Sequence, residues 1–268
     1  MGLARWKRRG DWKLEDAMRK FLLGMLGLAG VGLVSPAVAA DLPARTYTKA
    51  PAYIAAVYDW SGFYVGANGG WGTSRKCWDA NTGFGGTFLA TEGCHDASGG
   101  VAGGQLGYRF QTGAWVFGVE GQGDWAGLKG SNVSLLTPTT TDRSKIDAFG
   151  LITGQVGYTW NNTLLYVKGG AAVVGDKFSG VTTATGAVID TAKELRWGGT
   201  AGVGVEYGFL PNWSAAFEYD HLFMGTRTDD FRAPPAAAFT REDRIRQDMD
   251  TVTARINYRW GGPVISKY

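Results

Sequence analysis

Two histidines, His95 and His221, are the only side chains of this sequence whose ordinary titration falls near neutrality. His95 sits in "CHDAS" with Asp96 and Ser98 close by, the residue types of a hydrolytic triad. Triad chemistry needs a nucleophile on a strained turn and a base oriented by a third group. Neither a nucleophile elbow nor a zinc-binding "HExxH" string is present. His221 follows Asp220, but a strand would point the two to opposite faces. The expectation is an exposed loop residue at 95 and a lipid-headgroup contact at 221, with no enzyme, metal or cofactor. Cys77 and Cys94 close a short polar, glycine-rich segment. In an exported chain a disulfide is expected there, with two free thiols as the alternative.

The N-terminus supplies the evidence for export. Arg19-Lys20 precedes an apolar run from Phe21 to Val34 and then "SPAVAA", whose small residues predict cleavage near Ala39 or Ala40. Residues 1–39 are thus leader and signal, and residues 1–17, ahead of Met18, read as an upstream start or a long basic leader. The formal charge of +3 misleads. Without the seven bases and three acids of that leader, 20 bases face 21 acids, a net charge of −1, and nucleic-acid binding loses its electrostatic argument. No later apolar run reaches the length of a membrane helix. With 42 glycines in 268 residues, a helical bundle is disfavoured.

The elements that position the charges are strands. From about residue 61 one parity class of each segment is apolar, the period of a pleated strand. Phe63, Val65, Ala67 and Trp71 alternate with Tyr64, Gly66, Asn68 and Gly70, and Val252, Ala254, Ile256, Tyr258 and Trp260 alternate with Arg255, Asn257 and Arg259. Eight such segments follow one another. Short turns at "TGA", "NNT" and "LPN" alternate with long polar stretches over 74–98, 129–146, 177–195 and 223–247, which are expected to be loops. That alternation fits an all-β, eight-stranded antiparallel up-and-down transmembrane β-barrel over 61–268. Residues 40–60 read as a periplasmic lead-in. Trp60, Phe110, Trp115, Trp160, Phe209, Trp213 and Trp260 are expected at the short-turn rim, and Trp71, Trp125 and Trp197 at the other, as two interfacial girdles.

The inward parity class then collects Arg109, Lys168, Arg196, Arg255 and Arg259 with Glu120, Asp124, Glu206, Glu218 and Asp220. Two readings stand open: a network of pairs that fills and rigidifies the barrel, or a narrow hydrated ion path. A third hypothesis concerns the surface. The fourth long stretch carries Arg227, Arg232, Arg241, Arg244 and Arg246, whose forked donors suit lipopolysaccharide phosphates.

"YDWSGFYVGANGGWG" (Tyr58–Gly72) and "ARINYRWGGPVISKY" (Ala254–Tyr268) resemble the small alphaproteobacterial outer-membrane proteins, the Brucella surface immunogens and their rhizobial relatives, within the OmpA-like barrel group. The resemblance implies an outer-membrane location, contact with lipid and lipopolysaccharide, and roles in envelope integrity and surface exposure. For some members it implies weak pore activity or hemin binding, although no axial-ligand pattern is visible around His95 and His221. Ile256, Tyr258 and Trp260 resemble the signal read by the barrel-assembly machinery. Oligomeric state is left open.

Overall fold

The computed structural model describes residues 58–81 and 86–260; the leader, most of the lead-in and the tail from 261 lie outside the described residues. Eight strands form: β1 (Gly62–Asn81), β2 (Phe88–Thr112), β3 (Trp115–Val133), β4 (Thr140–Trp160), β5 (Thr163–Thr182), β6 (Val188–Leu210), β7 (Trp213–Ala233) and β8 (Ala238–Trp260). They close in chain order into one antiparallel barrel, and β8 returns to pair with β1, Phe63 opposite Trp260. Two-residue turns join β2 to β3, β4 to β5 and β6 to β7. Gly113 and Asn161 adopt φ of +59° and +50° there, the sense of twist that tight hairpins require.

The outer wall carries the apolar parity class. Trp71, Phe110, Trp115, Trp125, Trp160, Trp197, Phe209, Trp213 and Trp260 are all exposed on it. From Trp115 to Trp125 the chain climbs about 25 Å along the membrane normal at about 3.4 Å per residue and 40° tilt, the height of an outer-membrane apolar band. Ile256 and Trp260 also face outward, and Tyr258 packs edge-on against Trp213 and Trp260.

Two expectations are corrected. The four long stretches are mostly strand, not loop: strands run 19 to 25 residues, against about 9–11 needed to cross hydrocarbon, so the hairpins continue the barrel well beyond the upper indoles. Cys77 and Cys94 lie opposite each other in this extension and form a disulfide across β1 and β2. Trp60, placed in the girdle by its type, is instead 1% exposed and fills the lower mouth of the barrel. Its indole Nε1 donates to Thr159 Oγ1 at 2.9 Å, its backbone N–H donates to Gln111 Oε1 at 2.8 Å, and Tyr58 packs on it at 4.5 Å. An indole whose N–H finds a partner inside is better placed there than at the rim.

Glycine on the inner face makes room for this aromatic floor. A Cβ at Gly204 would stand 2.3 Å from the Tyr166 ring, and one at Gly208 would stand 2.3 Å from the Tyr58 ring. Gly204→Val is therefore expected to destabilise the barrel by about 1–3 kcal/mol through overpacking, read as a lower urea midpoint for the heat-modifiable folded band. Gly121→Ala, whose Cβ would meet nothing within 4 Å, should leave that midpoint unchanged; equal losses in both variants would remove the close-packing account.

Candidate functional site

Strand β8 serves as a ruler for the interior, because its inward residues from Arg259 up to Arg241 enter each layer in turn. At the mouth, Arg259 donates to the carbonyls of Ser61 and Pro211 at 2.8 and 3.1 Å and lies over Tyr58. Arg109 pairs with Glu206 at 2.9 Å and stacks on Tyr64 and Tyr166. Ser214 and Asn257 also donate to Glu206.

Arg255 centres the next layer. It bridges Glu120, at 2.8 Å, and Glu218. Lys168 reaches Glu218 at 2.7 Å and Asp220 at 3.2 Å. Tyr64 and Tyr166 each donate to one of these glutamates at 2.6 Å. Asp124 stands beside the cluster and accepts from Gln122 at 2.8 Å. Two cations thus hold three carboxylates, with phenols completing the acceptor sites, as buried charge demands.

Above this polar layer the lumen turns apolar. Leu128, Ile146, Val174, Leu222 and Met249, drawn from five strands, are each 0% exposed and pack with Val101, Phe149 and Leu151. Next, Lys76 pairs with Asp176 at 2.5 Å and bonds Gln247 at 2.8 Å, while Arg196 pairs with Glu194 and Asp229. A second apolar layer, Trp78, Phe178, Phe231 and Ile245, covers these pairs. Arg241 caps the stack. It engages Glu92 and Asp142 at 3.0 Å and Asp190 and Asp243 at 3.3 Å, its plane over Phe231.

All ten residues expected inside the lumen are buried, but they divide between sites: Arg196 stands one apolar layer away from Arg255. Sequence reading missed Lys76, Asp229 and the carboxylates around Arg241. It also misplaced His95 and Arg241, assigned to exposed loops. His95 is buried in β2 with Nδ1 at 2.5 Å from Asn132 and Nε2 at 2.9 Å from Ser144. His221 is half-buried on the outer wall, 2.7 Å from Asp250 and packed on Phe223. One histidine faces in and the other out, so they cannot share a hemin.

Residues 37–259 match the model of the outer membrane protein beta-barrel domain. The chain is 28% identical to the 25 kDa outer-membrane immunogenic protein of Brucella melitensis biotype 1, over 77% of this chain and 81% of that one. It is 31% identical to a 22 kDa outer membrane protein of Rhizobium leguminosarum bv. viciae, over 60% and 62% respectively. Among solved structures, OprG from Pseudomonas aeruginosa aligns with a TM-score of 0.48 at 12% identity, covering 74% of this chain and 97% of that one.

Removing one member of the central network should expose its cost. Glu218→Ala leaves Arg255 and Lys168 short of their shared carboxylate and is expected to destabilise by about 3–5 kcal/mol, measured by the same urea titration; a shift below 1 kcal/mol would mean the pairs are dispensable.

The cap outside the membrane predicts a pH dependence. Burial pushes Asp243 up to about 8 and Asp142 up to about 6, with neighbouring carboxylates adding to the rise and Arg241 opposing it. Both values exceed the unfolded one near 4, so the folded cap binds more protons than the unfolded chain. Its stabilisation is complete below about pH 4 and is lost as pH rises through 6 and then 8. Amide exchange over 241–247, corrected for intrinsic rate, should be slower at pH 5 than at pH 8.5, and Asp243→Asn should flatten the alkaline part. Faster exchange at pH 5 would reverse the sign.

Proposed function

We propose, from the premise that this chain belongs to the outer membrane protein beta-barrel domain family, that it acts as a filled, non-conducting barrel that supports envelope integrity and holds an extension at the cell surface. It is an outer-membrane protein, as its Brucella and Rhizobium relatives are. The observation that carries the structural reading is the apolar layer of Leu128, Ile146, Val174, Leu222 and Met249 across the lumen. An ion following the polar network from below would have to shed water against these hydrocarbon side chains.

The same geometry supports a non-catalytic role. Both ring nitrogens of His95 are engaged by neutral amide and hydroxyl groups, and His221 faces outward, bonded to Asp250 and packed on Phe223. Ile256, Tyr258 and Trp260 on the outer face of the last strand support recognition by the barrel-assembly machinery during insertion.

Refolded protein in a planar bilayer is expected to give no discrete conductance steps. Steps that change size on Glu120→Ala or Arg255→Ala would overturn the filled-barrel reading in favour of a narrow channel. A strain lacking the protein should become more permeable to large hydrophobic antibiotics, with recovery on complementation; unaltered permeability would sink the envelope role.

A further inference from the structure

Just above the upper indoles, the outer wall carries a charge pattern that neither the filled lumen nor the fold requires. Lys129, Lys145, Lys177 and Lys193 occupy consecutive strands β3 to β6 and are direct cross-strand partners: Lys129 faces Lys145, Lys145 faces Lys177, and Lys177 faces Lys193. All four point outward. Like charges placed directly opposite repel and destabilise a sheet, and here three such contacts run in one row. Asp147, the extra residue of a bulge between Ile146 and Ala148, relieves part of it. It accepts from Lys145 at 2.5 Å and from Lys177. Lys129 and Lys193 make no ion pair among the described residues.

The next row up alternates chemistry instead of repeating it. Arg143 lies between Ser131 and Ser179, and Thr191 faces Ser179. The two rows line a shallow concavity of about 650 Å³. The far side of the barrel at this level is arranged differently. Arg75 lies between Asp96 and Asp248, and Arg244 lies between Asp79 and Thr228. A wall built only for solubility would mix its signs everywhere, as it does there. One face of the barrel carries four lysines in a row with one carboxylate between them, and the other sets arginines opposite aspartates.

The ladder's height identifies what neutralises it. Lys129 follows Trp125 on β3 and Lys193 precedes Trp197 on β6, each by four residues, so their backbone positions stand roughly 10 Å above the indole ring. Lysine stems reach down to the interface from such positions. Neighbouring strands lie about 4.8 Å apart, so the row spans about 14 Å, the scale of a disaccharide bearing phosphates at its two ends. We infer that Lys129, Lys145, Lys177 and Lys193 form a docking site for the phosphorylated disaccharide headgroup of an outer-leaflet glycolipid, with Arg143 and the hydroxyls of Ser131, Ser179 and Thr191 receiving its sugar substituents. Of the fourth hairpin's arginines, Arg241 is turned inward to Asp142 and Glu92 and is not available for such a contact.

The test titrates the refolded barrel in detergent, with chelator present to remove bridging divalent cations. The ligands are bisphosphorylated lipid A, the same lipid A stripped of phosphate, and inorganic pyrophosphate. Wild type should bind lipid A at least tenfold tighter than the stripped form or pyrophosphate, with affinity falling as salt rises. The quadruple variant Lys129→Gln, Lys145→Gln, Lys177→Gln, Lys193→Gln should lose tenfold or more while keeping the heat-modifiable band. Replacement of the four by arginine should retain binding within threefold, as should the opposite-face control Arg75→Gln, Arg246→Gln. Should the glutamine variant fail to refold, the pair Lys129→Gln, Lys193→Gln, which breaks no ion pair, carries the test with an expected loss of about threefold. Indifference to either lysine set or to the lipid A phosphates would overturn the site, as would pyrophosphate binding as tightly as lipid A. A sulfated polysaccharide that binds the row while lipid A does not would also overturn it. Bilayer conductance enters none of these readings, so failure here leaves the filled-barrel reading to stand or fall by itself.

Discussion

Hydrocarbon offers no partner to a backbone N–H or C=O, so a sheet that crosses it has to close on itself. Closure here rests on the β1–β8 seam, where Phe63 meets Trp260 and the ladder continues to Ala80 opposite Asp243. Ring closure with eight strands fixes a lumen only as wide as side chains can fill. Everything inside then obeys packing rules usually associated with a soluble core, with one addition. The lower lumen lies beside lipid with little water available, so each charge entering it must bring its counter-charge. Arg255 between Glu120 and Glu218, and Arg109 on Glu206, are the consequence.

The layers also explain why so many charges coexist in one tube without collapsing into a single network. The apolar layer around Leu222 and Met249 separates Arg255 and Lys168 from Lys76 and Arg196, and the layer around Trp78 separates those from Arg241. Each polar layer therefore has to be satisfied locally. Lys76 with Asp176, and Arg196 with Asp229, meet that demand within their own level. A charge lost in one layer cannot be made good by another, which makes single truncations costly and distant ones nearly independent.

Much of the architecture was legible because lipid on one side and a polar lumen on the other keep the period-two signal pure. Val252, Ala254 and Ile256 outward against Arg255, Asn257 and Arg259 inward is as clear as such patterns become. Legibility stops where the solvent changes. Above the indoles water replaces lipid, and on β8 the outward positions become Arg244, Arg246 and Asp248 while Ile245 and Met249 turn inward. The strand is unbroken but its polarity inverts, so its sequence has the look of a loop. On β4 and β7 bulges at Asp147 and near Gly225 shift the parity as well. His95 and Arg241 were misplaced for this reason, because inside the extension an inward polar residue looks like any loop residue. Trp60 failed differently. Its type suggested a girdle, yet counting back from Phe63 gives it the parity of Tyr64, which faces the lumen.

That inversion is also why the lysine row escapes a strand-by-strand reading. Lys129, Lys145, Lys177 and Lys193 are far apart in sequence and each is an unremarked surface residue. Only the register, fixed by turn lengths and bulges, makes them neighbours. The bulge that shifts β4 parity also delivers Asp147 between two of them. A carboxylate at that point holds the central pair in place, and its own acidity is strengthened by both ammonium groups. It leaves the outer two free to reach an anion. The ladder is thus partly neutralised from within: enough for the sheet to form, and incompletely enough that a polyanion at headgroup height gains by docking against it.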